Sequence, residues 1–217
     1  MRDRIAIALS VLVVAAIPAV LIGNTLWVLI VPWLIDAEYA LPGFPADPEG
    51  LGDAERKDLA LTGMDSIRPF GEGTDVLREA RLPDGEPAFT EREIAHMKDV
   101  RALIAGVLIA WAVALVVAIA GTLALRRRGE RGSPTLVAGA WLTLGAMALI
   151  GVVMLIDFEF FFDGFHGIFF EGDSWRFNES YTLRRVYPDF FWGAAAGGMA
   201  VLVAAQAAAL IVGLRRR

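Results

Sequence analysis

Long apolar blocks alternate with charged, glycine- and proline-rich stretches along this chain. The first block runs from Ile5 to about Ile35 and follows Arg2 and Arg4. A signal peptide also starts basic and then turns apolar, but this stretch is too long for one and no small-x-small cleavage site follows it. It reads as a first transmembrane helix. A straight helix of that length would be roughly 45 Å long, against a hydrocarbon core of about 30 Å. Tilt, or a bend at Pro18 or Pro32, is expected to absorb the difference. A second helix should begin at Thr90, because Thr followed three residues later by Glu93 is a capping box. No breaker occurs before Gly129, so one helix is expected from Glu91 through a second span at about 100–125. Pro134 opens a third span, 134–156, and a fourth begins near Phe190, where the small residues of GAAAGGMA favour close helix packing.

The polar stretches differ from one another. Residues 36–99 hold 16 acidic and 7 basic side chains. The LPGFPADPEG stretch predicts turns, Asp53 to Arg68 predicts a helix with Asp53 as N-cap, and 69–88 predicts loop with at most one helical turn. Residues 126–133 form a short basic loop. Residues 157–189 form an aromatic and acidic loop containing FFDGFHGIFFEGDSW. This run is too short to span a bilayer and too apolar for water, which suits a membrane surface.

Composition agrees with the pattern: 56% of the 217 residues are hydrophobic. The predicted fold class is an all-α membrane protein with four transmembrane helices. A small, mainly helical or irregular extracytoplasmic segment lies between the first two. In order, the expected parts are 1–35 (N-terminus and helix 1), 36–99 (extracytoplasmic), 100–125 (helix 2), 126–133 (cytoplasmic), 134–156 (helix 3), 157–189 (extracytoplasmic) and 190–217 (helix 4 and C-terminus). Charge sets the orientation. The N-terminus, the 126–133 loop and the C-terminus carry 9 Arg and 2 acids, whereas the other two loops are net acidic. The positive-inside rule therefore places both termini in the cytoplasm and both acidic loops outside. Cysteine is absent, which excludes disulfides and thiolate chemistry. No basic stripe with interleaved aromatics suggests nucleic acid.

That topology puts the two histidines, His96 and His166, on the same side and near the same depth. Each has carboxylates at helical spacing: Glu93 and Asp99 around His96, Asp163 before His166. Such neighbours fix an imidazole's tautomer and raise its pKa, while apolar surroundings lower it. An interfacial structural role and acid–base chemistry are both open to these residues. Metal binding by His96 and His166 with Asp163, Glu171 or Asp173 is a third option, but no HExxH-like spacing supports it. Ser66, Ser174 and Ser180 lie in no GxSxG context, so a serine nucleophile is disfavoured. The phenylalanines, including Phe165, Phe169 and Phe170, suit an interfacial belt or acyl-chain contact. Arg184 and Arg185 suit either lipid phosphate or salt bridges to nearby acids. Asn24, within the first span, suits an inter-helix hydrogen bond.

The segments EREIAHMKDVRAL and FHGIFFEGDSWRF, followed by VYPDFFW, resemble the lipoprotein intramolecular transacylase family of four-span bacterial membrane proteins. The resemblance implies an enzyme acting at the outer leaflet on a diacylglyceryl lipoprotein, among membrane lipid. It would move the sn-2 acyl chain to the amine of the N-terminal cysteine, giving the lyso form. It implies no cofactor, metal or separate acyl donor. It also implies His96 and His166 as the catalytic pair. Asp99 and Asp163 would orient the imidazoles, the phenylalanines would line acyl grooves, and Trp175 would sit at headgroup level. The alternatives are a relative with different lipid chemistry, such as a hydrolase or another acyltransferase, or a non-enzymatic membrane partner.

Overall fold

The computed structural model describes residues 3–215; Arg2, Arg216 and Arg217, which contribute to the charge bias, lie outside the described residues. The described chain is helical, with one isolated β-bridge between Arg81 and Pro87. Its helices are α1 (Arg4–Leu29), α2 (Pro32–Tyr39), α3 (Asp53–Ile67), α4 (Val76–Glu79), α5 (Glu91–Arg127), α6 (Gly132–Ile156), α7 (Phe158–Phe169), α8 (Thr182–Val186) and α9 (Asp189–Arg215). Four of them, α1, α5, α6 and α9, are long and apolar enough to cross a membrane. Leu12, Ile109, Val116, Leu149 and Val201 on these helices face outward, an arrangement that suits lipid rather than water.

Local chemistry explains the boundaries. Val31 precedes a proline and is held extended (φ −137°, ψ 155°), so the first apolar block breaks there and Pro32 restarts it at the first turn of α2. Pro18, by contrast, lies inside α1. The expected capping box starts α5: Glu93 Oε2 accepts from the Thr90 N–H (2.7 Å) and hydroxyl (2.9 Å), and the Thr90 hydroxyl accepts from the Glu93 N–H (3.3 Å). At its other end Gly129, at φ 77°, closes a Schellman motif: Glu130 N–H donates to the Leu125 carbonyl and Gly129 N–H to that of Arg126. The 157–189 stretch is more ordered than the word loop suggests, since it contains α7 and α8.

The chain divides into two compact units. One comprises Met1–Trp27, Val107–Phe158 and Gly198–Arg217. Its core is built from α1, α5, α6 and α9, with Ile17, Leu21, Ala118, Ala140, Val203 and Ala207 buried together. Glycines let these helices approach: a Cβ at Gly139 would lie 2.6 Å from Ile17, and one at Gly23 would lie 2.3 Å from the Trp111 ring. Asn24 does make inter-helix hydrogen bonds. It donates to Gln206 Oε1 (3.0 Å) and accepts from Trp111 Nε1 (2.9 Å), while Gln206 also donates to Thr25 Oγ1 (2.8 Å).

The other unit, Val28–Gly106 and Glu159–Gly197, holds both histidines and is organised by buried polar groups. The Arg56 guanidinium, fully buried, donates to the carbonyls of Arg185 (2.6 Å) and Pro45 (2.6 Å) and lies 5.0 Å from the Phe44 ring centre. Arg185 makes a two-pronged ion pair with Asp47 (3.0 and 2.8 Å), the two side chains being 9% and 0% exposed. Burial would raise the Asp47 pKa, but hydrogen bonds from Arg185 and the Leu51 N–H, with the charges of Arg185 and Arg56, bring it below the ordinary value. Tyr187, from the VYPDFFW segment, donates to the Ala60 carbonyl (2.6 Å) over Gly63, where a Cβ would meet its hydroxyl at 2.5 Å. Tyr39 likewise donates to the Val186 carbonyl (2.8 Å).

Removing one member of the Arg185–Asp47 pair strands a buried charge. Arg185→Ala is expected to destabilise the protein by about 3 kcal/mol, the low end of the range because Arg56 still faces Asp47. The double variant Arg185→Ala with Asp47→Ala should recover part of that loss. Thermal unfolding in detergent checks the order of the three midpoints.

Candidate active site

The site is assembled on the first turns of α5. Ile94, His96 and Met97 are buried there with Glu93, so one face of the helix start is covered. Glu93 has a second task besides capping: its Oε1 accepts from the Leu183 N–H at the start of α8 (2.8 Å). Arg92 reaches across to the carbonyls of Asp173 (2.5 Å) and Arg176 (2.9 Å), with its guanidinium 5.4 Å from the Phe177 ring centre. These contacts draw the 170–183 segment onto α5 and bring Phe177 to 5.5 Å from the His96 ring.

His166 comes from α7. Its Nδ1 lies 2.8 Å from the carbonyl oxygen of Phe162, one helical turn back. A carbonyl only accepts, so Nδ1 carries the proton and the neutral ring keeps its lone pair on Nε2. The two imidazoles approach with ring centres 6.3 Å apart and an interplanar angle of 33°. Phe170 contacts both, at 5.0 Å from His96 and 5.5 Å from His166. Trp175 stacks on His166 at 4.8 Å and 29°, and Phe162 lies 4.0 Å from it.

This shell decides the competition between carboxylate and burial. His96, 8% exposed, is pushed down to about 4, first by burial and then by the charge of His166. His166 is also lowered by burial, against the opposing pull of its Phe162 hydrogen bond and of Asp163. Both rings are therefore neutral at pH 7. Asp163 is half-exposed and bonded to Arg176 (3.0 Å), which accounts for its weak hold on His166. Asp99 is exposed, and His96 Nδ1 is buried with no hydrogen-bond partner, so Asp99 does not engage that nitrogen. The Nε1 of Trp175 is likewise buried and unpartnered.

The other expected site residues divide. Phe165 and Phe169 stay partly exposed and pack on each other at 4.9 Å, whereas Phe170 is buried against both histidines. Of the two options for Arg184 and Arg185, ion pairing is the one seen: Arg184 pairs with Asp189 and Arg185 with Asp47. Among the described residues no three His, Asp or Glu side chains gather closely enough to share a metal ion. The Phe162 carbonyl and Phe177 are contacts that sequence reasoning passed over. Helical spacing from His166 could have suggested the first, once α7 was recognised as a helix.

The family model described as lipoprotein intramolecular transacylase Lit matches residues 10–192. The chain belongs to this family. An uncharacterized protein of Aquifex aeolicus (strain VF5) is 29% identical over 184 residues, covering 85% of this chain and 82% of that protein. The solved structure of the membrane integral lipoprotein intramolecular transacylase Lit from Bacillus cereus shares the fold. Its TM-score is 0.76 at 17% identity, over 99% of this chain and 96% of that one. A variant of the Bacillus cereus protein with one histidine replaced by arginine matches with a TM-score of 0.71 at 18% identity, over 97% and 91% of the two chains. With four apolar helices and this fold, the transacylase-family chain is a multi-pass membrane protein.

The lowered histidine pKa values have a signed consequence for this family member. Above the unfolded value near 6.5 both states leave His96 neutral. As pH falls from there towards about 4, only the unfolded chain takes up the proton, so folding loses stability. His96→Phe removes this penalty. Its thermal midpoint relative to the parent protein should therefore rise as pH is lowered from 7 to 4 and be flat above 7. Calorimetry in detergent across that range checks the sign.

Proposed function

We propose that this protein is an intramolecular O-to-N transacylase working at the outer face of the membrane. Its substrate is a diacylglyceryl lipoprotein. The attacking nitrogen is the α-amino group of the N-terminal cysteine, and the acyl donor is the sn-2 ester of the same molecule. The amine nitrogen bonds to the ester carbonyl carbon, the bond from that carbon to the glycerol oxygen breaks, and the proton lost by nitrogen ends on that oxygen. The product is an amide beside a free hydroxyl, with no co-reactant consumed.

The observation that carries this proposal is the neutral, closely spaced imidazole pair in an apolar shell. Nε2 of His166 is the free base toward the amine, since the Phe162 carbonyl occupies Nδ1. His96, 6.3 Å away, serves as the second proton-handling group, stabilising the oxyanion or protonating the leaving oxygen. Their separation suits one substrate reaching both. Family membership supports the acyl transfer, and the arginine bias supports placing the site outside. The exposed apolar side chains of α7, Phe165, Ile168 and Phe169, suit contact with acyl chains.

Cells making this protein, in a background unable to N-acylate lipoproteins, should convert diacylglyceryl lipoproteins to the N-acyl lyso form. Mass spectrometry of the N-terminal lipopeptide reads this directly. His166→Ala and His96→Ala should each lower conversion by about 10²–10⁴-fold. Full conversion by both variants at equal protein level would overturn the two-histidine mechanism.

A further inference from the structure

Among the described residues four buried side-chain polar atoms lack a hydrogen-bond partner: Glu38 Oε2, His96 Nδ1, Thr122 Oγ1 and Trp175 Nε1. Two of the four belong to rings packed against His166. Leaving a buried donor unpaired costs about 1–3 kcal/mol, and two other indoles of this chain are partnered. Trp33 donates to the Val28 carbonyl at 2.9 Å and Trp111 to Asn24 at 2.9 Å. Trp175, only 7% exposed, forgoes such a partner beside the catalytic pair.

We propose that the Trp175 indole N–H is a substrate-facing donor that binds the ester carbonyl oxygen and stabilises the oxyanion formed there. This rests on the transacylase reaction proposed above. An indole is a donor only, so whatever satisfies it must be an acceptor. The imidazole of His166 lies over the indole face at 4.8 Å and 29°. The N–H lies in the indole plane and therefore cannot be satisfied by the ring stacked on that face. An acceptor about 2.9 Å from Nε1 lies in the ring cluster that holds His166, whose centre is 4.8 Å from that of the indole. A carbonyl oxygen held there gains negative charge as nitrogen attacks. A preorganised N–H in a dry site holds that charge best at the transition state. The guanidinium of Arg176, 4.9 Å from the indole centre, together with the stack on His166, fixes the ring.

The test uses the purified full-length protein in detergent with a synthetic diacylglyceryl-cysteinyl peptide. Trp175→Phe keeps a stacking ring and removes the N–H. Replacing Trp175 with 3-benzothienylalanine keeps the bicyclic shape as well. Both should lower kcat about 10²-fold with KM changed less than threefold and with the acid limb of the pH profile, set by His166, unmoved. Parental kcat in the benzothienyl protein would overturn the proposal. So would a shifted acid limb or a loss confined to KM, since either would make Trp175 a structural support. If Trp175→Phe fails to fold, the benzothienyl protein decides alone. A parental protein that forms no N-acyl product defeats the transacylase reading itself, and the donor proposal with it.

Discussion

A single buried carboxylate holds the candidate site in register. Glu93 caps the start of α5 through Thr90 with one oxygen and anchors the start of α8 through the Leu183 N–H with the other. Each of these donors sits at a helix start, where backbone N–H groups lack helical partners. One turn further along α5 stands His96, so the position of that ring follows from the cap rather than from a hydrogen bond to the ring itself. Arg92 adds the second tether, taking the carbonyls of Asp173 and Arg176. The segment that follows α7 is thereby fixed against the helix that carries the other histidine.

Within that frame the electrostatics are set by what does not touch the imidazoles. Asp163 is close enough to pull the His166 pKa upward, yet its carboxylate is shared with Arg176. Glu93, one turn before His96, has both oxygens engaged by Thr90 and Leu183. The ring neighbours are Phe162, Phe165, Phe170, Trp175 and Phe177 instead. Burial therefore outweighs charge, and both rings stay unprotonated at neutral pH. A carboxylate bonded directly to either ring would favour the imidazolium and lower the fraction of rings free to act as a base.

Signals within one stretch of chain could be read from the sequence. Continuous apolar runs announced the four long helices, and Thr90 and Glu93 announced the start of α5; the first block, read as one helix to about Ile35 with tilt or a bend at Pro18 or Pro32, instead breaks before Pro32. The pairing of His96 with His166 was legible because charge bias placed both on one side. What escaped depends on partners distant in the chain. Arg185 meets Asp47 across 138 positions, and nothing local distinguishes it from Arg184, which pairs five residues away. The helix α7 was hidden by its composition, because phenylalanines interleaved with Gly164 and Gly167 give weak helical propensity. The helix forms nonetheless, and the Phe162 carbonyl then lies one turn below His166. Helical spacing to a histidine does not by itself make a bond: Asp163 acts on His166 through its charge while pairing with Arg176, and Asp99 faces solvent.

The unpartnered nitrogens bear on why one substrate should carry both reacting groups. His96 Nδ1 and Trp175 Nε1 are desolvated without protein partners, a cost that matching polar partners would offset. On the proposed reaction, a diacylglyceryl cysteine supplies an ester and an amine on one short scaffold. Binding it gives the orphaned groups their partners while setting amine against ester. Holding both in one molecule replaces a bimolecular encounter by an intramolecular one, an effect that reaches effective molarities of about 10⁵ M or more when geometry is good. The protein then needs little machinery beyond a dry shell, a neutral base and well-placed donors. The rings around His96 and His166 provide that shell without any charged side chain bonded to the pair.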